Sequence, residues 1–463
     1  MTPSRGERAP VVVVGAGIAG LAAAHRLKEH AEVVVVEAGE HPGGKFGTVE
    51  VDGVVFESGP DSFIAREPHM EELAAAVGLG DELVAPAIFG AHIWTGGKLK
   101  RVPAGFVFGM PSSPGAALRS GILSPRGAAR AAADLVLPGP LEGPDVSVGE
   151  FVSRRFGSEV LDRLVDPLLA GTRAGRASDI SLAAALPQID ALARRHRSLS
   201  AGLAAAEKSG TIPAGPPPFL APRAGMRSLI DALVAELAGK VRTGAARRIE
   251  RGPDGYRVEL EGGKTIEARG LILAVPAYVA ADLLRTLNPL AAGELEEIGY
   301  ASVATACFVW PPGSVAVPPG VSGLLVPSGE NRTLAAATWF SQKWPHLAPQ
   351  DGRIVVKAFA GRAAGDAEFE LDDERLLAAL LDDLSAAVEV RTRPLAAELM
   401  RWPRALPQYA VGHLDRVNRI GSALENTAGI VLAGAAYRGT GISDSVKNAQ
   451  AAAGRIVDLL ALR

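Results

Sequence analysis

Residues 11–37 constrain this chain more than any other stretch. Val11-Val12-Val13-Val14 is an apolar β-branched run, followed at once by Gly15-Ala16-Gly17-Ile18-Ala19-Gly20. A helical pattern over 21–29 leads to a second apolar run, 33–36, which ends on Glu37. Strand, G-x-G-x-x-G, helix, strand and acid thus fall within about 30 residues, the spacing of a dinucleotide-binding β-α-β unit. Glycines let the backbone approach a pyrophosphate, the helix N-terminus faces its charge, and the acid accepts from a ribose hydroxyl. Contacts are therefore expected from Gly15, Ala16, Gly17, Ile18, Ala19, Gly20 and Glu37.

The far end of the chain carries a second glycine turn. Residues 430–433 read as a buried strand, and Gly434-Ala435-Ala436-Tyr437-Arg438-Gly439-Thr440-Gly441-Ile442 runs into a helix over 443–460. Taken alone, the front turn suits NAD or FAD. Its place at the front of the chain, the Gly43-Gly44-Lys45 segment soon after the acid, and this second turn favour FAD. A flavin needs a donor or positive dipole near its pyrimidine edge, which the N-terminus of the last helix supplies if it points at the ring. The competing reading is that this helix only packs on the sheet.

At 463 residues the chain is too long for one ordinary core, so two or three lobes are expected. The balance of 48 basic and 51 acidic residues argues against general nucleic-acid binding. Cys307 is the only cysteine, which excludes an intrachain disulfide, and its apolar surroundings over 301–310 suggest a buried thiol. With no cysteine cluster and no spaced histidines, no metal site is expected, and the chain carries no Gly-x-Ser-x-Gly elbow. Residues 1–10 are polar, without the apolar core of a signal peptide, and the run 11–24 is too short to span a bilayer. The expected location is cytoplasmic, with at most peripheral membrane contact.

Along the chain, residues 1–88 hold the β-α-β unit, a strand pair over 48–56 and a helix over 68–77. Residues 98–197 turn Ala/Leu/Arg-rich and helical, broken at Pro138-Gly139-Pro140. Residues 210–222, with five prolines, read as a loop. A helix to residue 237 follows, then strands over 241–249, 256–260 and 264–268 and a buried one over 270–276. The expected fold class is α/β, with a discontinuous Rossmann-like domain assembled from 1–88, 219–288 and 424–463. An inserted helical lobe (98–197) and an α+β substrate lobe (289–423) complete it.

Several motifs occur here in order: Gly15 to Gly20, Gly43-Gly44-Lys45, Gly59-Pro60-Asp61-Ser62-Phe63, residues 222–229, Trp402-Pro403-Arg404-Ala405-Leu406-Pro407-Gln408-Tyr409, and Gly439 to Asp444. Together they resemble the FAD-dependent porphyrinogen oxidases of haem biosynthesis, within the amine-oxidase-like flavoproteins, over nearly the whole chain. The resemblance implies oxidation of a porphyrinogen substrate by flavin, with O2 as acceptor and a downstream ferrochelatase as a possible partner. It further implies FAD contacts at Gly44, Lys45, Ser58, Gly59, Pro60, Asp61, Val241, Trp402, Gly441, Ile442, Ser443 and Asp444. For the substrate it points to Arg66, Thr172, Arg173 and Arg176. Arg66 reads equally as a solvated charge. Arg173 and Arg176 stand where many relatives carry an aromatic or small residue and an acid; they meet propionates or pair with Asp166 and Asp179 at the surface. The arginine that plant enzymes place before a short apolar strand is missing at Gly90-Ala91-His92-Ile93.

Coproporphyrinogen III carries four propionates and protoporphyrinogen IX two, so the arginines lean toward the former. An amine oxidase would cage its substrate with aromatics, where this chain has Thr440 and Ile442 and only 5% aromatic residues. The sequence also admits a desaturase of the same superfamily and a redox-silent binding protein on the same fold.

Overall fold

The computed structural model describes residues 9–102, 104–137, 139–212, 218–362 and 367–461. Its organising element is a parallel sheet in the spatial order Val241–Thr243, Val33–Glu37, Val11–Val14, Gly270–Leu273, Ile430–Leu432. The unbroken valine runs follow from this position, because a parallel sheet covered on both faces needs apolar side chains in both directions. Val11, Val13, Val33 and Val35 pack against the helices Ile18–Leu27, Arg227–Glu236 and Ile442–Leu459. Val12, Val14, Val34 and Val36 pack against the helices Ala277–Leu284 and Pro289–Glu296 and a three-stranded antiparallel sheet. The sheet joins segments from the front, middle and end of the chain, as a discontinuous domain requires.

Residues 241–249 are two strands, not one. Val241–Thr243 closes the parallel sheet beside Val33–Glu37, and Ala246–Gly252 begins the antiparallel sheet. Gly244, at φ +154°, separates them, and a single glycine is so weak a turn signal that the alternation reads as continuous. Within 210–222, residues 213–217 lie outside the described ones, and Phe219–Pro222 is a strand pairing with Phe63–Ile64 and Leu83–Val84.

A second sheet has seven strands in the order Ala396–Pro407, Tyr300–Trp310, Ile354–Ala360, Ala336–Thr338, Gly323–Leu325, Ala91–Thr95, Lys98–Arg101. Lys98–Arg101 is thus an edge strand of this sheet and does not begin the helical lobe. Its basic, half-exposed sequence is that of an edge, which hides it from a search for buried runs. One face of the sheet packs on Asp373–Ala387. Cys307, Val309 and Val355, on the other, join the core of the parallel-sheet domain. Cys307 is fully buried. The helices between Pro114 and Lys208 form a separate core around Phe151, Phe156, Leu182 and Leu203.

Candidate active site between two glycine turns

The front turn leaves strand Val11–Val14 and enters helix Ile18–Leu27, so the first amides of that helix face outward from the sheet's carboxyl edge. Gly15 holds a left-handed φ of +100°, and a Cβ there would stand 2.6 Å from the Ala274 oxygen. At Gly20 a Cβ would lie 1.8 Å from the Gly15 oxygen. At Gly17 it would meet nothing within 4 Å. Two glycines therefore close the turn, and the third keeps its outer face bare, as a pyrophosphate lying on the backbone requires. Ala16, Ile18 and Ala19 bury their side chains; the Ala16 amide is taken by Glu37, which leaves the Ile18 and Ala19 amides as what this stretch can offer a phosphate.

Glu37 Oε2 accepts from the Ala16 amide at 2.6 Å and Oε1 from the Gly39 amide at 2.8 Å. The carboxylate is thereby fixed over the turn, with lone pairs left for ribose hydroxyls. Gly43 donates its N–H to the Ala16 carbonyl at 2.8 Å, and Gly44 adopts φ +59° against the Gly17 Cα. Lys45 is reached by solvent yet walled by protein, and desolvation holds its ammonium below the ordinary lysine value. Val241 lies beside Val35, with strand Val33–Glu37 between it and the strand that leads into the turn.

The Ser58-Gly59-Pro60-Asp61 segment follows strand Val54–Glu57 and packs on the Gly-Gly-Lys segment, since a Gly59 Cβ would stand 1.8 Å from the Lys45 oxygen. Two residues of the seven-stranded sheet hold it. Thr305 Oγ1 donates to the Ser58 carbonyl at 3.0 Å, and the buried Lys357 Nζ donates to the Gly59 carbonyl. Desolvation pushes the Lys357 ammonium down to about 8 and the neighbouring Glu57 carboxyl up to about 7. Asp61 does not present a free carboxylate. Both its oxygens lie 2.9 Å from Lys343 Nζ, and Trp344 Nε1 donates to Oδ2 at 3.3 Å. Burial alone would raise the Asp61 carboxyl, but Lys343, with Lys357 behind it, holds it at about 2.

The C-terminal turn is braced from three sides. Ser443 Oγ donates to the Ile64 carbonyl at 2.6 Å, and Gly441 N–H donates to Asp444 Oδ2 at 3.3 Å. Tyr409 Oη donates to the Ala435 carbonyl at 2.7 Å and accepts from Gly439 N–H at 2.9 Å, which ties the turn's two limbs together. His413 stacks on the Tyr409 ring at 3.8 Å and donates through Nε2 to the Tyr437 carbonyl. Burial drives the His413 pKa down to about 4, so the imidazole stays neutral. The sequence motif contains Tyr409 without assigning it a role. The signal that could find it is a tyrosine ending an apolar stretch, whose hydroxyl needs a partner once buried. Trp402 Nε1 and Tyr437 Oη are buried without a partner among the described residues, which fits a polar group bound against them.

The four substrate candidates separate. Arg66 is exposed two residues beyond Ile64, with its guanidinium 5.4 Å from the Phe108 ring centroid and no ion pair among the described residues. Thr172 returns its hydroxyl to the Leu168 carbonyl of its own helix at 2.8 Å. Arg176 is exposed on the following turn. Arg173 pairs with neither Asp166 nor Asp179: it donates to Thr440 Oγ1 at 2.5 Å and to the Ala185 carbonyl at 2.9 Å. Asp166 instead accepts from the Ala177 amide and from Ser328 Oγ, satisfying the turn that follows its helix. Among the described residues no group of three His, Cys, Asp or Glu is placed to hold a metal ion, and no helix is long and apolar enough to cross a membrane.

The family model described as flavin containing amine oxidoreductase matches residues 18–457. The chain belongs to this flavin oxidoreductase family. Its cofactor is FAD, and the two glycine turns fit that group. This flavin oxidoreductase is 32% identical over 456 residues to the coproporphyrinogen III oxidase of Bacillus subtilis, covering 96% of each chain. It is 33% identical to that of Propionibacterium freudenreichii, covering 97% of this chain and 90% of the relative. A crystal structure from Exiguobacterium, provisionally assigned as a protoporphyrinogen oxidase, matches with a TM-score of 0.86 at 31% identity, over 97% and 99% of the two chains. A putrescine oxidase matches in fold, with a TM-score of 0.69 at 17% identity.

Proposed function

We propose that this flavoprotein oxidises coproporphyrinogen III to coproporphyrin III, with O2 as the final acceptor. The observation that carries the reading is the full-length likeness to coproporphyrinogen III oxidases, joined to a paired glycine turn that keeps Gly17 bare. Bound FAD supplies the two-electron acceptor and the reaction with O2 that yields hydrogen peroxide.

The chain's own residues hold and orient. The front turn and Glu37 would hold pyrophosphate and ribose, and the N-terminus of helix Ile442–Leu459 would offer its positive end to the flavin ring. Tyr409 and Ser443 keep that turn from moving. A cationic side chain held at Thr440 disfavours an ammonium substrate there, which argues against an amine despite the family's description. Protoporphyrinogen IX is the second reading, supported by the Exiguobacterium structure.

Arg66 is the proposed ligand of a substrate carboxylate, its charge lying beside the segment that Ser443 grips. Losing one charge-assisted contact costs about 1.5–3 kcal/mol, so Arg66→Ala is expected to lower kcat/KM by roughly ten- to a hundredfold. FAD content should not change, and the loss should be larger on coproporphyrinogen III than on protoporphyrinogen IX. Steady-state kinetics on both substrates checks this, and an unchanged kcat/KM on each would make Arg66 a solvated surface charge.

A further inference from the structure

Arg173 ends the helix Asp166–Arg173, and its guanidinium is shared between two segments remote in sequence. Nη1 donates to Thr440 Oγ1 at 2.5 Å and Nη2 to the Ala185 carbonyl at 2.9 Å. Its carbonyl accepts from Gln408 Nε2 at 3.0 Å, so backbone and side chain are both pinned. Thr440 immediately precedes Gly441, the N-cap of helix Ile442–Leu459. Asp444, on that helix's first turn, is desolvated and its carboxyl lies above the ordinary aspartate range, with the Gly441 amide first, then Arg173 and Lys447, drawing it back. Glu67 and Lys447 pair with each other on the exposed flank of the same helix.

We propose that Arg173 is a positioning residue for the flavin: it fastens the helical lobe to the C-terminal turn through Thr440 and holds a positive charge that compensates Asp444. The proposal rests on the reading that residues 441–444 face the pyrimidine edge. An ionised Asp444 without its counter-charge offsets the positive end of the helix and disfavours an electron-rich reduced ring. A planar guanidinium can serve two fixed acceptors at once, whereas an ammonium is a point charge without that fork. Two edges of the Arg173 fork are already engaged within the protein, which sets it apart from Arg66 as a carboxylate ligand.

The test uses the full-length variants Arg173→Met, Arg173→Lys and Thr440→Val. Two quantities are read: the FAD dissociation constant, by titration of apoprotein, and the flavin midpoint potential, by dye equilibration. Arg173→Met is expected to weaken FAD about tenfold and to shift the potential negative. Arg173→Lys should keep the potential while losing part of the affinity, because charge survives and the fork does not. Thr440→Val should weaken FAD with little change in potential. A wild-type FAD affinity and potential in Arg173→Met overturns the proposal, as does a potential shift in Thr440→Val equal to that of Arg173→Met. If Arg173→Met fails to fold, wild-type FAD affinity in Thr440→Val overturns the positioning role by itself. Gly17→Val separates this failure from that of the underlying reading: if it too retains FAD, the glycine-turn site itself is wrong.

Discussion

Gly17→Val is expected to give a folded protein that has lost FAD. Gly17 sits at φ −72° and ψ 176°, extended backbone that valine adopts without strain. A Cβ there meets no protein atom within 4 Å, so the fold has no reason to object. The bare face is where a pyrophosphate would lie, and two methyl groups in that space should weaken FAD by more than about 100-fold, or ~2.7 kcal/mol. Gly20→Ala makes the contrast, because its Cβ would stand 1.8 Å from the Gly15 oxygen and the turn itself must break. Apoprotein melting and the flavin absorbance of purified protein distinguish the two. Gly17→Val should melt near wild type and be colourless. A yellow Gly17→Val protein would contradict the assigned cofactor position.

The second large effect is expected at Asp61. Its carboxylate meets the half-buried Lys343, 282 positions further along the chain, and lies near the buried Lys357, so Asp61→Asn leaves Lys343 without its counter-charge and Lys357 with Glu57 alone. Removing one partner of such a pair costs about 3–5 kcal/mol. The pH dependence carries the sign. The folded carboxyl is held at about 2, below its ordinary value of 3.8, so its contribution is present above about pH 4 and lost as pH falls toward 2. That shift amounts to about 2.5 kcal/mol. Urea denaturation of the apoprotein at pH 7 and in steps down to about pH 2.5 reads both effects. Asp61→Asn should be less stable at pH 7 and should lack this part of the acid-dependent decline. Wild-type stability with an unaltered acid slope would show that the pair contributes nothing.

How much is legible in the sequence follows from how local each feature is. The front unit needs only the spacing between Val11 and Glu37, and a both-faces-buried strand announces itself as four valines. The break that separates Val241–Thr243 from Ala246–Gly252 and the basic edge Lys98–Arg101 are hidden, because neither has a length or hydrophobic pattern of its own. The roles of Arg173 and Asp61 cannot be read at all. Both stand within recognisable motifs, but what each side chain does is set by partners on other lobes, Thr440 at 267 positions and Lys343 at 282. Tyr409 is intermediate: its motif is visible, while its grip on Ala435 and Gly439 depends on how two distant stretches of chain meet.

Side-by-side turnover of coproporphyrinogen III and protoporphyrinogen IX by the purified, FAD-loaded protein in air tests the proposed activity most directly. The expected result is coproporphyrin III, identified by its fluorescence, accumulating with hydrogen peroxide and with a kcat/KM above that for protoporphyrinogen IX. Oxidation of neither ring by protein that carries its flavin, or a clear preference for protoporphyrinogen IX, would contradict it.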